Sequence, residues 1–134
     1  MCKRFMVIFY VLLALILVSA CASMRTTKAT IEYQSTSEVL RKVYDEGQSL
    51  CNSGAITEED CARLKSEYNA TRKHYLRQGD DLIKAIKADN ISSREFYLDS
   101  YNRSSKSLIE STTELIRLFN ELKRAPGVPK RVTP

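Results

Sequence analysis

Near the end of this chain two columns of residues repeat every seventh position, Tyr101, Leu108, Leu115 and Leu122 in one and Leu98, Ser105, Thr112 and Phe119 in the other. Apolar positions spaced alternately three and four residues apart lie along one face of an α-helix and on no single face of a strand. A face of that length has to be covered by other helices, so the stretch predicts a bundle helix. Ser92 with Glu95 three residues later reads as the capping box that opens it.

Two further helices are expected upstream. Cys61, Tyr68, Tyr75 and Leu82 recur at intervals of seven, with Leu64, Thr71 and Ile86 in the neighbouring seam. Thr57 followed by Glu58, Glu59 and Asp60 supplies a capping hydroxyl and carboxylates suited to the positive end of a helix dipole. Gln78-Gly79-Asp80-Asp81 interrupts this helix, and because an interior glycine costs about 1 kcal/mol against alanine, a solvated kink is expected there. Before it, Leu40, Val43, Tyr44, Gly47, Leu50 and Cys51 share one face of a helix expected over 37–52, stopped at Asn52-Ser53-Gly54. Three helices joined by short turns make an all-α fold, a small antiparallel three-helix bundle over residues 37–124.

The start of the chain is of another kind. Lys3 and Arg4 precede an unbroken apolar stretch from Phe5 to Val18, which gives way to small residues and Cys21. This is the layout of an export signal. Its fourteen residues span only about 21 Å as a helix, against a hydrocarbon core of about 30 Å, so a cleaved segment is expected rather than a permanent anchor. Counting on through Ala22 leaves a short anchor as the alternative.

Leu17-Val18-Ser19-Ala20-Cys21 resembles the lipobox of bacterial lipoproteins. The resemblance covers only the first twenty-odd residues and implies nothing about the remaining fold. It implies that the Cys21 thiol receives a diacylglycerol, that the chain is cut before Cys21, and that the new amino group is acylated. Residues 1–20 are then a signal peptide and 21–36 a lipidated N-terminus and flexible tether. Acyl chains bring about 0.8 kcal/mol per buried CH₂, and two or more make attachment to a membrane stable. In such lipoproteins an aspartate after the cysteine holds the protein at the inner membrane; Ala22 stands there, which implies the periplasmic face of the outer membrane. The plainer reading is an ordinary secretory signal cut near Ala20 or Ala22.

Without residues 1–20 the chain has 114 residues, enough for one small domain, with 19 basic against 16 acidic side chains. That balance is not a nucleic-acid footprint. Three prolines in residues 125–134 forbid a helix and leave an extended or disordered tail, basic at Lys130 and Arg131. Cys2 leaves with the signal and Cys21 carries lipid, so Cys51 and Cys61 remain as an even pair in an oxidising compartment, and a disulfide across the first helical corner is expected. Their spacing suits neither a redox Cys-x-x-Cys nor a zinc site, and His74 is the one histidine, so no metal or cofactor is expected.

No catalytic residue emerges. There is no glycine-rich phosphate loop, and the adjacent Asp80 and Asp81 would point about 100° apart on a helix. The expectation is not an enzyme. Tyrosine is the residue with potential for binding: Tyr68, Tyr75, Tyr97 and Tyr101, with Tyr44, fall on or beside the apolar stripes. They are either seam residues with hydroxyls reaching water or the lining of a groove for a partner peptide or helix. Asn69, Asn90 and Asn102 head glycosylation sequons, which would suit a secreted eukaryotic glycoprotein; the lipobox argues against that.

The functional expectation is therefore a lipid-anchored, non-enzymatic binding or assembly accessory of the cell envelope, with an envelope protein as partner. Helices two and three also offer a surface for pairing between copies. The alternatives are a tether that contacts peptidoglycan through the basic tail and a secreted helical ligand without lipid.

Overall fold

The computed structural model describes the backbone of residues 2–124 and the side chains of residues 24–124. Within them the chain is an all-α three-helix bundle: α1 (Cys2–Asn52), α2 (Glu58–Lys87) and α3 (Ile91–Arg124). α1 and α3 run parallel with α2 antiparallel to both, and α2 and α3 share the longest interface. The tail 125–134 lies outside the described residues, as do the side chains of residues 1–23, where the expected signal peptide and Cys21 fall.

The first reversal follows its residues. Gly54 takes a φ of +66°, its N–H donates to the Cys51 carbonyl (3.1 Å), and the Ala55 N–H reaches back to the Leu50 carbonyl (3.0 Å). These bonds satisfy carbonyls that the end of α1 leaves open. Thr57 caps α2 by accepting the Asp60 N–H at 3.1 Å, with Glu58, Glu59 and Asp60 in the first turn, as the sequence suggests. The second reversal is built differently from the expectation. Asn90, not Ser92, caps α3, its Oδ1 accepting the Ser93 N–H at 2.8 Å. Glu95, free of the expected capping box, pairs with Arg25 of α1 at 2.8 Å.

Three local expectations are corrected. The segment read as a tether is helical: α1 is continuous through residues 24–36, with Ala29 buried and Tyr33 half-buried against the bundle. Ala29, Tyr33, Thr36, Leu40, Val43, Gly47 and Leu50 alternate four and three residues apart, so the seam starts well before Ser37. Alanine and threonine carry too little hydrophobicity to reveal such a period, yet they let helices approach closely.

Second, Gly79 is not at a solvated break: α2 is continuous through it and buries it. A Cβ on Gly79 would stand 2.2 Å from the Tyr33 hydroxyl and 2.7 Å from its Cζ, so this glycine is the seat of a tyrosine. Tyr33 is held there by stacking on Tyr75, centroids 4.2 Å apart and planes 9° off parallel. Third, Ile86 is exposed. The seam runs instead through Leu64, Thr71, Gln78 and Ala85, again seven apart, all buried. Seven-residue spacing with small and polar members was present, but hydrophobicity favours Ile86 over Ala85.

Crowding at Gly79 has an opposite-sign test. Gly79→Ala is expected to lower stability by about 1–3 kcal/mol in the native background, because the tyrosine ring must leave its seat. In a Tyr33→Ala background the same change is expected to raise it by about 1 kcal/mol, the helix propensity gain alone. Thermal unfolding of the four proteins checks this; the same sign in both backgrounds would show that Tyr33 does not occupy the seat.

The core is divided. Leu40, Val43, Leu64, Leu115, Leu118, Phe119 and Leu122 form one apolar cluster toward the first reversal; Ala29, Leu82, Ala85, Leu98 and Tyr101 form another toward the second. Between them lies a polar waist. The fully buried Thr71 hydroxyl donates to the Glu67 carbonyl (2.9 Å) and sits 2.8 Å from the Ser111 hydroxyl, while Gln78 Nε2 donates to Ser105 Oγ. Such groups are tolerated in a core because each finds a partner. Thr112 Oγ1 is the exception, buried without one. Thr112→Val keeps the shape and removes the desolvated hydroxyl, so urea unfolding is expected to show a gain of about 1–2 kcal/mol. A loss would mean that the hydroxyl is satisfied in solution.

Candidate binding groove

Where α1 and α2 leave the first reversal they part on the side away from α3. The opening is a groove of about 660 Å³, with Val43, Tyr44, Gly47 and Cys51 on one wall and Cys61, Leu64, Lys65, Tyr68 and Arg72 on the other. Its floor depends on Gly47, where a Cβ would come within 2.9 Å of Leu64 Cδ2. The two aromatic residues meet across it: the Tyr44 and Tyr68 rings are 5.1 Å apart at 40°, and the Tyr44 hydroxyl accepts from Gln48 Nε2 at 2.8 Å.

Cys51 and Cys61 close the end of the groove at disulfide distance, with Cα atoms 5.7 Å apart. That places the pair between the last turn of α1 and the first turn of α2. Lys65 and Arg72 stand on the rim, and no carboxylate lines the groove. On the opposite side of α1, Lys123 of α3 binds Glu46 at 2.7 Å and holds its carboxyl below the usual range, chiefly through that hydrogen bond.

The four tyrosines singled out by sequence do not converge. Tyr68 lines the groove with Tyr44. Tyr75 is half-buried under Tyr33. Tyr97 lies toward the other end, its ring edge-on to Phe96 and 5.9 Å from Lys84 Nζ. Tyr101 is a core residue, 1% exposed, with its hydroxyl donating to the Ala29 carbonyl at 2.9 Å. Its placement on a binding surface is thus corrected, because a phenol with a buried carbonyl partner fits a helix seam as well as leucine does. Tyr33 was missed for the same reason as the early part of α1; its four-and-three spacing with Ala29 and Thr36 was the available signal.

Elsewhere the polar residues serve the fold. Asp81 accepts from Ser100 Oγ at 2.8 Å, Asp80 is exposed, and the two do not form an acid pair. His74 is exposed. Among the described residues no three His, Cys, Asp or Glu side chains gather into a metal-binding group, and no helix is long and apolar enough to cross a membrane. No family model, no curated protein and no solved structure matches this chain.

Proposed function

We propose that this chain is a bacterial lipoprotein, anchored through Cys21 at the periplasmic face of the outer membrane, that binds an envelope protein in its α1–α2 groove without catalysing a reaction. The carrying observation is the groove itself: two tyrosines over an apolar floor, a cysteine pair bracing one end, and a rim with cations and no carboxylate. Buried aromatic anchors supply most of the binding energy at protein interfaces, and charges at the rim select the partner. The occupant that fits is a helical or extended segment with an apolar anchor and acidic neighbours. Membrane attachment is supported by the basic, apolar and small-residue order before Cys21.

Two measurements on one strain test the two halves. Intact mass of the membrane fraction is expected to show a species beginning at Cys21 with diacylglycerol and acyl mass, absent in Cys21→Ser. An unmodified wild-type chain would favour the secreted ligand instead. A photo-crosslinking residue at Asn69, on the groove, is expected to trap an envelope protein that the same residue at Ile109, exposed on α3, does not. Identical patterns at both positions would remove the groove from the argument.

A further inference from the structure

The two reversals of the bundle lie at opposite ends, and one of them stands beside the end of the apolar run in the first part of α1. The register of α1 against α3 is set by Arg25 with Glu95 (2.8 Å), Tyr101 with the Ala29 carbonyl (2.9 Å) and Lys123 with Glu46 (2.7 Å). Following the α1 backbone back from Arg25 by about one turn, or roughly 6 Å, brings Cys21 level with Ile91, the first residue of α3. The α2–α3 reversal and the end of the apolar run are therefore neighbours.

That end is unlike the other. Met24 (75% exposed), Ile83 (51%), Ile86 (53%), Ile91 (49%) and Phe96 (63%) all lie within about two turns of this level along their helices. Within two turns of the α1–α2 reversal no large apolar side chain is exposed among the described residues. The exposed residues share no groove and no helix face; Phe96 points away from the side of α3 that buries Leu98 and Tyr101. What they share is height along the bundle axis. A protein docked from the side would cover a face, whereas a plane across the axis covers a collar. Lys84, Lys87 and the partly buried Arg94, whose guanidinium also donates to the Ala88 carbonyl at 3.4 Å, stand in the same collar, with Asp80, Asp89, an Asp81 engaged by Ser100 and a Glu95 engaged by Arg25 as its acidic members. Long basic side chains over exposed apolar ones suit the boundary between headgroups and acyl chains.

We propose that the α2–α3 end of the bundle is a membrane-contacting tip. Ile83, Ile86, Ile91 and Phe96 sink to the headgroup–acyl boundary, and Lys84, Lys87 and Arg94 meet anionic phospholipid headgroups. The bundle then stands end-on, and the α1–α2 groove, at the far end, faces away from the bilayer. The inference rests on the membrane-anchored reading above.

The chain has no tryptophan, so single tryptophans report cleanly. The full chain, purified from membranes and reconstituted in vesicles of phosphatidylethanolamine and phosphatidylglycerol, is compared as Phe96→Trp, Ile86→Trp and Ile109→Trp. All three replaced side chains are exposed, so the fold is expected to persist, checked by circular dichroism. With bromine on the upper acyl chain, the first two are expected to lose half or more of their emission and to shift to the blue, while Ile109→Trp loses little. Flotation reports the anchor separately. A chain that floats with Phe96→Trp and Ile86→Trp unquenched overturns the tip and leaves the anchor. Equal quenching at all three positions overturns the end-on stance, and a chain that does not float overturns tip and anchor together.

Discussion

Tyr101→Ala is expected to cost about 3–5 kcal/mol of stability, the range for emptying a buried aromatic site. The ring is among the largest fully buried side chains and joins Ala29, Leu82, Ala85 and Leu98 in one cluster. Its hydroxyl is also the buried link between α3 and the early part of α1. The loss should therefore be local as well as global, with amide exchange in residues 24–36 accelerating more than in 40–50. Tyr101→Phe keeps the ring and leaves the Ala29 carbonyl short of one donor, so about 1 kcal/mol is expected from urea unfolding. Equal effects of the two substitutions would mean that the ring contributes nothing beyond its hydroxyl.

The same residue carries a pH dependence of definite sign. Burial, and then the charges of Glu32 and Tyr75, push the Tyr101 phenol up to about 12 from an ordinary value of 10.0. Tyr33 is raised too, first by burial and then by its hydrogen bond with Tyr75. Between the unfolded and folded values the native state holds more protons than the unfolded chain, so stability falls as pH rises. The contribution is fully present below pH 10 and is lost through about 12. Tyr101→Phe, less stable at neutral pH, is expected to show a shallower alkaline decline; a slope identical to wild type would assign the effect to other groups.

Removing the cysteine pair has the second largest expected effect. Cys51 and Cys61 are ten residues apart, and a cross-link closing so short a loop restricts the unfolded chain by about 2–3 kcal/mol. The native corner does not depend on it, because the Gly54 turn and the Thr57 cap remain. The double variant Cys51→Ser with Cys61→Ser should thus keep its helix content and unfold at lower denaturant. Reductant should lower the wild-type midpoint by the same amount and leave the double variant unmoved. A wild-type midpoint insensitive to reductant would show that the thiols are not paired.

How legible the fold was depended on how each helix advertises its buried side. α3 shows its seam in leucines and aromatics, and the structure buries Leu98, Tyr101, Leu108, Leu115, Phe119 and Leu122 as that pattern requires. α2 was legible in existence but not in rotation, since its innermost column passes through Thr71, Gln78 and Ala85. α1 was legible only from Leu40 onward. The candidate groove was legible at Tyr68 and the cysteine pair, but the four tyrosines could not be sorted in one dimension. A seam tyrosine and a groove tyrosine have the same spacing, and only the neighbouring helix decides between them.

The sequence by itself determined the local events: three helices, the glycine turn at Gly54, the threonine cap at Thr57 and the nearness of Cys51 to Cys61. Each of these is written within about a dozen residues and depends on backbone conformation and short-range hydrogen bonds. The tertiary structure alone decided that Gly79 receives Tyr33, that Ala29 accepts the Tyr101 hydroxyl, and that α1 and α2 part around Tyr44 and Tyr68. Those outcomes join residues 24 to 72 positions apart, where the packing of one helix against another selects shape rather than hydrophobicity, and shape is a property of the pair.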